Sequence, residues 1–222
     1  MVDSKKIGIA GAAVVLVTLV TIFGTSYMAD FENNPRNVSQ NDSQETFEYI
    51  ALGSETATVT IIEIGDYQCE MCKRWFDTAR PQIIENYVIT GDVNLIFIDM
   101  PFLGNDSQHA SAATYCADDQ GKYWGYHEKL YQLQGHENDG WANADRLSAI
   151  AFGLDLDMEL FDACMKSKSH YDRVAFNNQK ARNDFGANST PTFIIFNSSG
   201  ASERLVGAYP YSAFEDIINS ML

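Results

Sequence analysis

Residues 58–72 read TVTIIEIGDYQCEMC. The first half of this stretch is apolar and rich in β-branched residues, which predicts a buried strand over residues 57–64. Residues 69–87 predict a helix, interrupted and kinked at Pro81. Two cysteines, Cys69 and Cys72, therefore lie on the turn where a buried strand ends and a helix begins.

The first turn of a helix changes the chemistry of a cysteine. Its unpaired N–H groups and roughly half a positive charge stabilise a thiolate, and the thiolate is the nucleophile in disulfide exchange. Two intervening residues also allow the two sulfurs to bond to each other. We expect Cys69 to be the exposed attacking thiol and Cys72 to be its more buried partner.

A single Cys-x-x-Cys pair has four interpretations. It can be a redox pair, half of a zinc site, a structural bridge or a chance spacing. A zinc site normally needs a second ligand pair at short spacing, and the remaining cysteines, Cys116 and Cys164, are 48 residues apart. The preceding strand, the following helix and the distant segment Thr190-Pro191 favour the redox interpretation.

Composition limits the class of protein. The 222 residues carry a net charge of −15, which argues against nucleic-acid binding. A hydrophobic content of 45% and an aromatic content of 12% indicate a globular domain with a sizeable core. Four cysteines, an even number, are compatible with two disulfides in an oxidising compartment.

The N-terminal segment predicts a membrane anchor. Residues 7–24 contain no charge and would form about 27 Å of helix, just enough to cross a bilayer core. A cleaved signal peptide is the alternative, but its apolar region is usually about 7–15 residues long and no clear cleavage site follows here. Lysines before the segment place residues 1–6 in the cytoplasm. The rest of the chain then lies outside the cell, on a single-pass anchor.

Residues 25–45 have the composition of a flexible linker, rich in Asn, Ser, Asp and Gln. After it the pattern predicts a possible short strand over 46–51, strands over 93–98, 193–196 and 204–206, and a final helix over 211–221. Residues 107–185 predict helices with breaks near 135–140 and at Gly153. Asn-x-Ser/Thr sequons occur at Asn37, Asn41, Asn105, Asn188 and Asn197, and the linker pair suits glycosylation best.

Several stretches together resemble the DsbA-like thiol-disulfide oxidoreductases, in particular the membrane-anchored BdbD-like group. The resemblance covers residues 44–222 and rests on four segments: GDYQCEMC at 65–72, PFLG at 101–104, CADDQGKYW at 116–124 and STPTF at 189–193. It implies an α/β thioredoxin fold over residues 46–222, with a helical domain inserted at about residues 105–186.

The resemblance also implies roles for individual residues. Cys69 attacks and Cys72 resolves, Pro191 is the cis-proline beside the redox pair, and Thr190 lines a groove for extended substrates. Without the other motifs, Thr190-Pro191 would be a turn that starts a strand. Glu63 matches a buried acid beneath the active site that relays the proton of Cys72. The alternative for Glu63 is a strand-end side chain that reaches water.

One feature departs from that family. Its members often carry Pro-His or Pro-Tyr between the cysteines, whereas this chain has Glu70-Met71. A carboxylate beside Cys69 opposes a thiolate, and a strong oxidant of this type owes its potential to a stabilised reduced form. The dipeptide therefore leaves the strength of oxidation and its preferred direction open.

The other cysteines, the histidines and an aromatic stripe are interpreted as structural residues. Cys116 and Cys164 fall on predicted helices and are interpreted as a structural disulfide, with a second redox pair as the alternative. The four histidines show no metal-ligand spacing, so no metal or cofactor is expected. An aromatic stripe from Tyr123 to Tyr131 has helical spacing and is typical of a core.

The sequence thus predicts an anchored, monomeric oxidoreductase that exchanges a Cys69–Cys72 disulfide with unfolded or partly folded secreted and membrane proteins, most simply to form disulfides. A membrane redox partner would reoxidise it. The alternatives are a thioredoxin-like reductase or isomerase, and a non-catalytic module that holds a client or a copper ion.

The anchor interpretation makes a direct prediction. We expect residues 7–24 to stay attached to the mature protein, because the apolar run is long and lacks a cleavage site. Intact-mass spectrometry of the native membrane fraction measures this. A soluble mature form that begins near residue 30 would contradict it.

Overall fold

The computed structural model describes residues 48–222. The predicted tail at 1–6, the anchor at 7–24, the linker at 25–45 and the sequons at Asn37 and Asn41 lie outside the described residues. Between residues 48 and 222, none of the helices combines the length and the apolar composition that a bilayer crossing requires.

Five strands form one mixed sheet in the order β1-β3-β2-β4-β5. Strands β2 and β3 are parallel, and the other neighbouring pairs are antiparallel. The bounds are β1 Ala51–Gly53, β2 Val59–Gly65, β3 Val93–Asp99, β4 Thr192–Asn197 and β5 Ser202–Val206. The β-branched run of the sequence is thus the central strand β2, as its continuous apolar pattern predicts.

The strand at the domain's start is shorter and later than predicted. The sequence suggested residues 46–51, but β1 begins only at Ala51 and pairs antiparallel with β3 through Ala51 and Ile96. Tyr49 instead packs as a partly buried side chain against a cluster that includes Ile62, Ile64 and Ile98, and Ile50 packs against helical residues. The ladder pairs with β3 begin only at Ala51.

Helix α1, Glu70–Ile83, and the C-terminal helix α7, Tyr211–Met221, pack on one face of the sheet. Their shared core contains Trp75, Phe193 and Phe214, whose ring centroids are 4.8–6.0 Å apart. The sequence predicted a helix interrupted at Pro81, but α1 continues through it. A π-helical segment, Ile84–Val88, follows directly. Proline lacks the N–H of a regular ladder, and the turns after it are wider.

Between β3 and β4 lies the predicted helical insertion. Its five helices are α2 Asn105–Asp118, α3 Tyr123–Gln132, α4 Ala144–Gly153, α5 Met158–Ser167 and α6 Tyr171–Asn183. The breaks predicted near 135–140 and Gly153 are present. Two further breaks were not predicted, at Gly121 and Lys168, both of which adopt a left-handed backbone with φ of 70° and 57°.

The insertion shares a core with the start of α1. Cys69, Cys72 and Phe76 pack in one buried cluster with residues of the insertion, among them Tyr126 and Tyr131. The aromatic stripe predicted to be core is buried at Tyr123, Tyr126, Leu130 and Tyr131. The two cysteines therefore lie where the central strand ends and the insertion covers the sheet.

A disulfide joins α2 to α5 through Cys116 and Cys164, with the Cα atoms 5.8 Å apart. We expect the double variant Cys116→Ser/Cys164→Ser to lose roughly 2–5 kcal/mol of unfolding free energy, because its unfolded chain is no longer cross-linked. Urea unfolding measures the loss. Wild-type stability in the folded double variant would show that the bridge contributes nothing.

Candidate active site

The turn between β2 and α1 is organised by the buried carboxyl of Asp66. Its Oδ1 accepts the N–H of Gln68 at 2.9 Å, and its Oδ2 accepts those of Phe102 and Leu103 at 3.0 and 3.1 Å. Its main-chain carbonyl accepts the N–H of Cys69 at 3.0 Å. One side chain thereby holds the active-site turn against the loop that follows β3.

Cys69 is the N-cap residue of α1. Its Sγ accepts the N–H of Cys72 and contacts the main-chain oxygen of Thr190, both at 3.4 Å. Hydrogen bonding from the Cys72 thiol is the largest influence on its pKa, followed by opposing burial and by contacts with Thr190 and the helix N–H groups. Together they lower the pKa of Cys69 to about 6. A thiolate is therefore the ordinary form of Cys69 at neutral pH.

Cys72 has the opposite character. It is fully buried, and both cysteines are free thiols. Burial raises the pKa of Cys72 well above its ordinary value, and the hydrogen bond and charge of Cys69 and the charge of Glu63 act in the same direction. The two thiols therefore differ in protonation state, since Cys69 favours the thiolate and Cys72 stays protonated.

The sequence predicted an exposed Cys69, and the structure shows a sulfur that is largely covered. Cys69 is more open than Cys72, as predicted, but only 8% of it is exposed. The reason is the Thr190 carbonyl, which lies against its sulfur. Sequence spacing cannot reveal this contact, because 121 residues separate the two partners.

Glu63 lies inside the molecule and not at a solvated strand end, since it is 1% exposed. Side chains alternate along a strand, so Glu63 shares the face of Val59 and Ile61, which pack against α1 and α7. Burial raises its pKa to about 8, and the charge of Arg80 opposes that rise. Within residues 48–222, neither of its carboxyl oxygens has a hydrogen-bond partner.

The loop opposite the cysteines contains Thr190 and Pro191. The peptide bond between them is cis, and the Pro191 carbonyl accepts the N–H of Gly207 at 2.8 Å. The Thr190 hydroxyl is buried, and within the described part of the chain it has no partner. The loop brings a residue pair from the far end of the chain against the Cys69 sulfur.

Large apolar side chains surround this loop and the turn. Four of them are 41–48% exposed, namely Met71, Phe102, Val206 and Tyr209. Met71 lies between the cysteines, the N–H of Phe102 binds Asp66, and Val206 pairs with Thr192 next to Pro191. The site therefore has an exposed apolar rim.

The helical insertion clamps the turn with two amide side chains. Gln134 donates to the main-chain oxygens of Tyr67 and Cys69, at 2.6 and 3.3 Å. Asn138 donates from its main chain to Gln68 Oε1 at 2.6 Å and from its side chain to the Leu103 carbonyl at 2.6 Å. Neither residue was identified from the sequence, and the left-handed φ of 55° at Asn138 has no sequence signal beyond its residue type.

A buried histidine lies behind the turn. His127 is fully buried and its Nδ1 is 3.0 Å from the hydroxyl of Tyr67. Burial lowers the pKa of His127 well below its ordinary value, so it stays neutral. His127 is thus a packing residue inside the core of the site, a position that its place in the sequence does not reveal.

Comparisons with known proteins agree with this geometry. A family profile described as Thioredoxin matches residues 45–205. The chain is 30% identical over 153 residues to a probable disulfide bond formation protein D of Bacillus anthracis, covering 66% of this chain and 70% of that protein. It is 28% identical over 180 residues to the corresponding protein of Bacillus cereus, covering 79% and 81%.

The fold has a solved counterpart as well. The crystal structure of oxidised BdbD from Bacillus subtilis superposes with a TM-score of 0.70 at 22% identity, covering 77% of this chain and 91% of that one. The chain belongs to the thioredoxin family, and within it to the DsbA-like thiol-disulfide oxidoreductases. The thioredoxin fold with a helical insertion, predicted from the sequence, is confirmed.

The buried carboxyl of Glu63 makes the stability of the protein depend on pH. Its folded pKa of about 8 lies above the ordinary 4.5, so its contribution is fully present below about pH 4.5 and is lost as the pH rises through about 8. Between about pH 5 and pH 9, wild-type protein with Cys69 and Cys72 oxidised should lose on the order of 3–5 kcal/mol that Glu63→Gln retains.

Urea unfolding of both proteins at the two pH values measures this difference. Glu85→Gln, which removes an exposed carboxylate from the segment after α1, is the matched control and should follow the wild type. Parallel stability curves for wild type and Glu63→Gln would mean that Glu63 is already ionised in the folded protein.

Proposed function

We propose that this chain is an extracytoplasmic thiol-disulfide oxidoreductase that forms disulfides in secreted and membrane proteins through Cys69 and Cys72. The opposite pKa shifts of the two thiols at one helix N-terminus carry the proposal. The relatives named as disulfide bond formation proteins support disulfide formation as the direction.

The first step is an attack on the oxidised pair. A substrate thiolate attacks Cys69 Sγ, the Cys69–Cys72 bond breaks, and its electron pair goes to the Cys72 sulfur. Because Cys72 is buried and has a strongly raised pKa, this sulfur takes up a proton. Protonated Glu63, with its pKa of about 8, supplies that proton near neutral pH.

The second step releases the product. A second substrate thiolate attacks the substrate sulfur of the mixed disulfide, and Cys69 leaves as a thiolate. A leaving thiol with a pKa of about 6 leaves faster than an ordinary one. The two substrate sulfurs have then given two electrons to the chain, which ends as a Cys69 thiolate and a protonated Cys72. The protons of the two substrate thiols went to solvent when those thiols ionised, and Glu63 regains its proton from solvent. A membrane redox partner removes the two electrons and restores the Cys69–Cys72 disulfide.

Thr190 and Pro191 would position the substrate beside Cys69. A cis-proline has no N–H to compete, and the extended backbone around it can pair with an unfolded chain. The apolar rim at Met71, Phe102 and Tyr209 suits clients that still expose apolar side chains. The sequence segment 7–24 would keep this monomeric domain at the outer face of the membrane, joined by the linker at 25–45.

One observation favours a second direction, that of a reductase. A Cys69 pKa of about 6 lies nearer to the ~7 of thioredoxin than to the ~3.5 of the strongest DsbA. A less stabilised thiolate means a less oxidising pair, with a potential between about −120 and −270 mV. The exposed carboxylate of Glu70 beside Cys69 acts in the same direction.

The test uses the full chain in detergent, with a reduced, unfolded two-cysteine protein as substrate and glutathione disulfide as oxidant. Wild type should accelerate disulfide formation, and Cys69→Ser should return it to the uncatalysed rate. Cys72→Ser should accumulate a mixed disulfide between Cys69 and substrate, visible on non-reducing gels. Insulin reduction, measured in parallel with a thiol reductant, gives the rate in the reverse direction.

Cys116→Ser/Cys164→Ser is the matched control, because it removes the other two cysteines and should retain activity. Loss of activity in this variant while it stays folded would point to a second redox pair. Turnover in neither direction by wild type, together with tight copper binding at Cys69 and Cys72, would replace the enzyme with a binding module.

A further inference from the structure

A second group of metal-ligating side chains lies away from the active site, at the bridge of the helical insertion. The two sulfurs of Cys116 and Cys164 and a ring nitrogen of His170 all lie within 4.8 Å of one another. Asp119 Oδ2 is 2.9 Å from His170 Nε2 and 3.6 Å from the Cys164 sulfur. Three residues with zinc-ligand chemistry thus converge on one point, and Asp119 lies beside two of them.

The fold assembles this group from three helices. Cys116 and Asp119 lie one turn apart at the end of α2, so they occupy the same face. Cys164 belongs to α5, and His170 is the N-cap residue of α6. The sequence shows no metal-ligand spacing here, because the pair Cys116 and Asp119 is more than 40 residues from the pair Cys164 and His170. The two pairs meet only in the folded chain.

The environment suits an ion that enters from solvent. Cys116 is 2% exposed, whereas the side chains of His170 and Asp119 are 17% and 53% exposed. Cys116 forms the buried end of the group, Cys164 and His170 are partly buried, and the Asp119 carboxylate is the open end. The group therefore has one side that solvent reaches.

We propose that reduction of the Cys116–Cys164 disulfide converts this point into a tetrahedral site for one Zn²⁺ ion, with Cys116, Cys164, His170 and Asp119 as ligands. A Cys₂-His set with a carboxylate matches the donors that zinc prefers. His170 and Asp119 exchange their mutual contact for bonds to the metal.

The chemistry balances with a named reductant. A dithiol or a phosphine gives two electrons to the disulfide, and the two sulfurs take up two protons as thiols. The dithiol leaves as its own disulfide, or the phosphine takes an oxygen from water and leaves as its oxide. Zn²⁺ then displaces the two thiol protons when it binds the sulfurs. The ion changes no oxidation state.

The site gives the insertion a replaceable cross-link. With the disulfide formed, α2 is joined covalently to α5. With the disulfide reduced, the metal joins α2 to both α5 and the start of α6. The insertion that clamps the active-site turn through Gln134 and Asn138 then keeps its packing in either redox state.

The experiment uses the full chain with Cys69→Ser/Cys72→Ser, so that Cys116 and Cys164 are its only cysteines. After reduction with a phosphine, Co²⁺ is titrated and absorption is followed. One equivalent should produce thiolate-to-cobalt charge-transfer and tetrahedral d–d bands, and Zn²⁺ should displace it. The oxidised protein should show no such bands. Zn²⁺ should also raise the melting temperature of the reduced form only.

His170→Ala in this background should weaken binding of Co²⁺ by more than the roughly 10- to 100-fold that loss of an outer-shell partner typically costs, because here a ligand itself is lost. Asp119→Asn, an exposed and conservative change, is the second ligand variant and should also weaken it. His136→Ala, which removes an exposed histidine elsewhere, is the matched control and should bind like the parent.

Three results would overturn the proposal. One is a reduced, folded protein without the charge-transfer band. Another is equal affinity in the His170→Ala and His136→Ala variants, which would leave His170 with an ion pair to Asp119 only. The third is a reduced protein that circular dichroism shows to be unfolded with and without Zn²⁺, because the ligands would then not be held together.

Discussion

The Asp66 carboxyl accepts three main-chain N–H groups from two separate segments, and the active site depends on it. Asp66 directly follows the central strand, which ends at Gly65. The turn that carries Cys69 is therefore held to the loop after β3 before α1 begins. Burying a carboxyl is costly unless hydrogen bonds satisfy it. These three bonds offset part of that cost, and burial still raises the pKa of Asp66. The start of α1 is therefore fixed, and with it the N–H of Cys72 that the Cys69 sulfur accepts.

Burial then separates the two thiols. Both cysteines lie in one hydrophobic cluster. Hydrogen bonds at the helix start lower the pKa of Cys69, whereas desolvation raises the pKa of Cys72 one turn further on. Glu63 experiences the same desolvation from the sheet side. Cys72 and Glu63, whose pKa values are raised, thus lie inside the molecule next to Cys69, whose pKa is lowered. In this way the site keeps its nucleophile ionised and its proton donors protonated.

The helical insertion does more than cover the site. Gln134 and Asn138 bond the turn itself, and Tyr131 and His127 pack behind it. The geometry of the dithiol therefore depends on the helical insertion, in which the Cys116–Cys164 bridge joins α2 to α5. Any second way of joining α2 to α5 would protect the same geometry, and this connects the proposed zinc site to the catalytic one although they share no residue.

Much of this was predictable from the sequence, because it is local. The β-branched run of β2, the start of α1 and the final helix, which coincides with the predicted 211–221, follow from side-chain periodicity over a few residues. Cys69 and Cys72 follow from their spacing at a helix start. The resemblance added the insertion, Pro191 and Glu63, which periodicity alone does not reveal.

The rest required the tertiary structure, because it depends on residues far apart in the chain. Thr190 reaches Cys69 across 121 residues and Asn138 reaches Gln68 across 70. The burial that raises the pKa of Glu63, and the approach of His170 to the bridge, exist only once helices pack on the sheet. Residue type and spacing determine which groups a chain can offer, but distance and desolvation decide what those groups do.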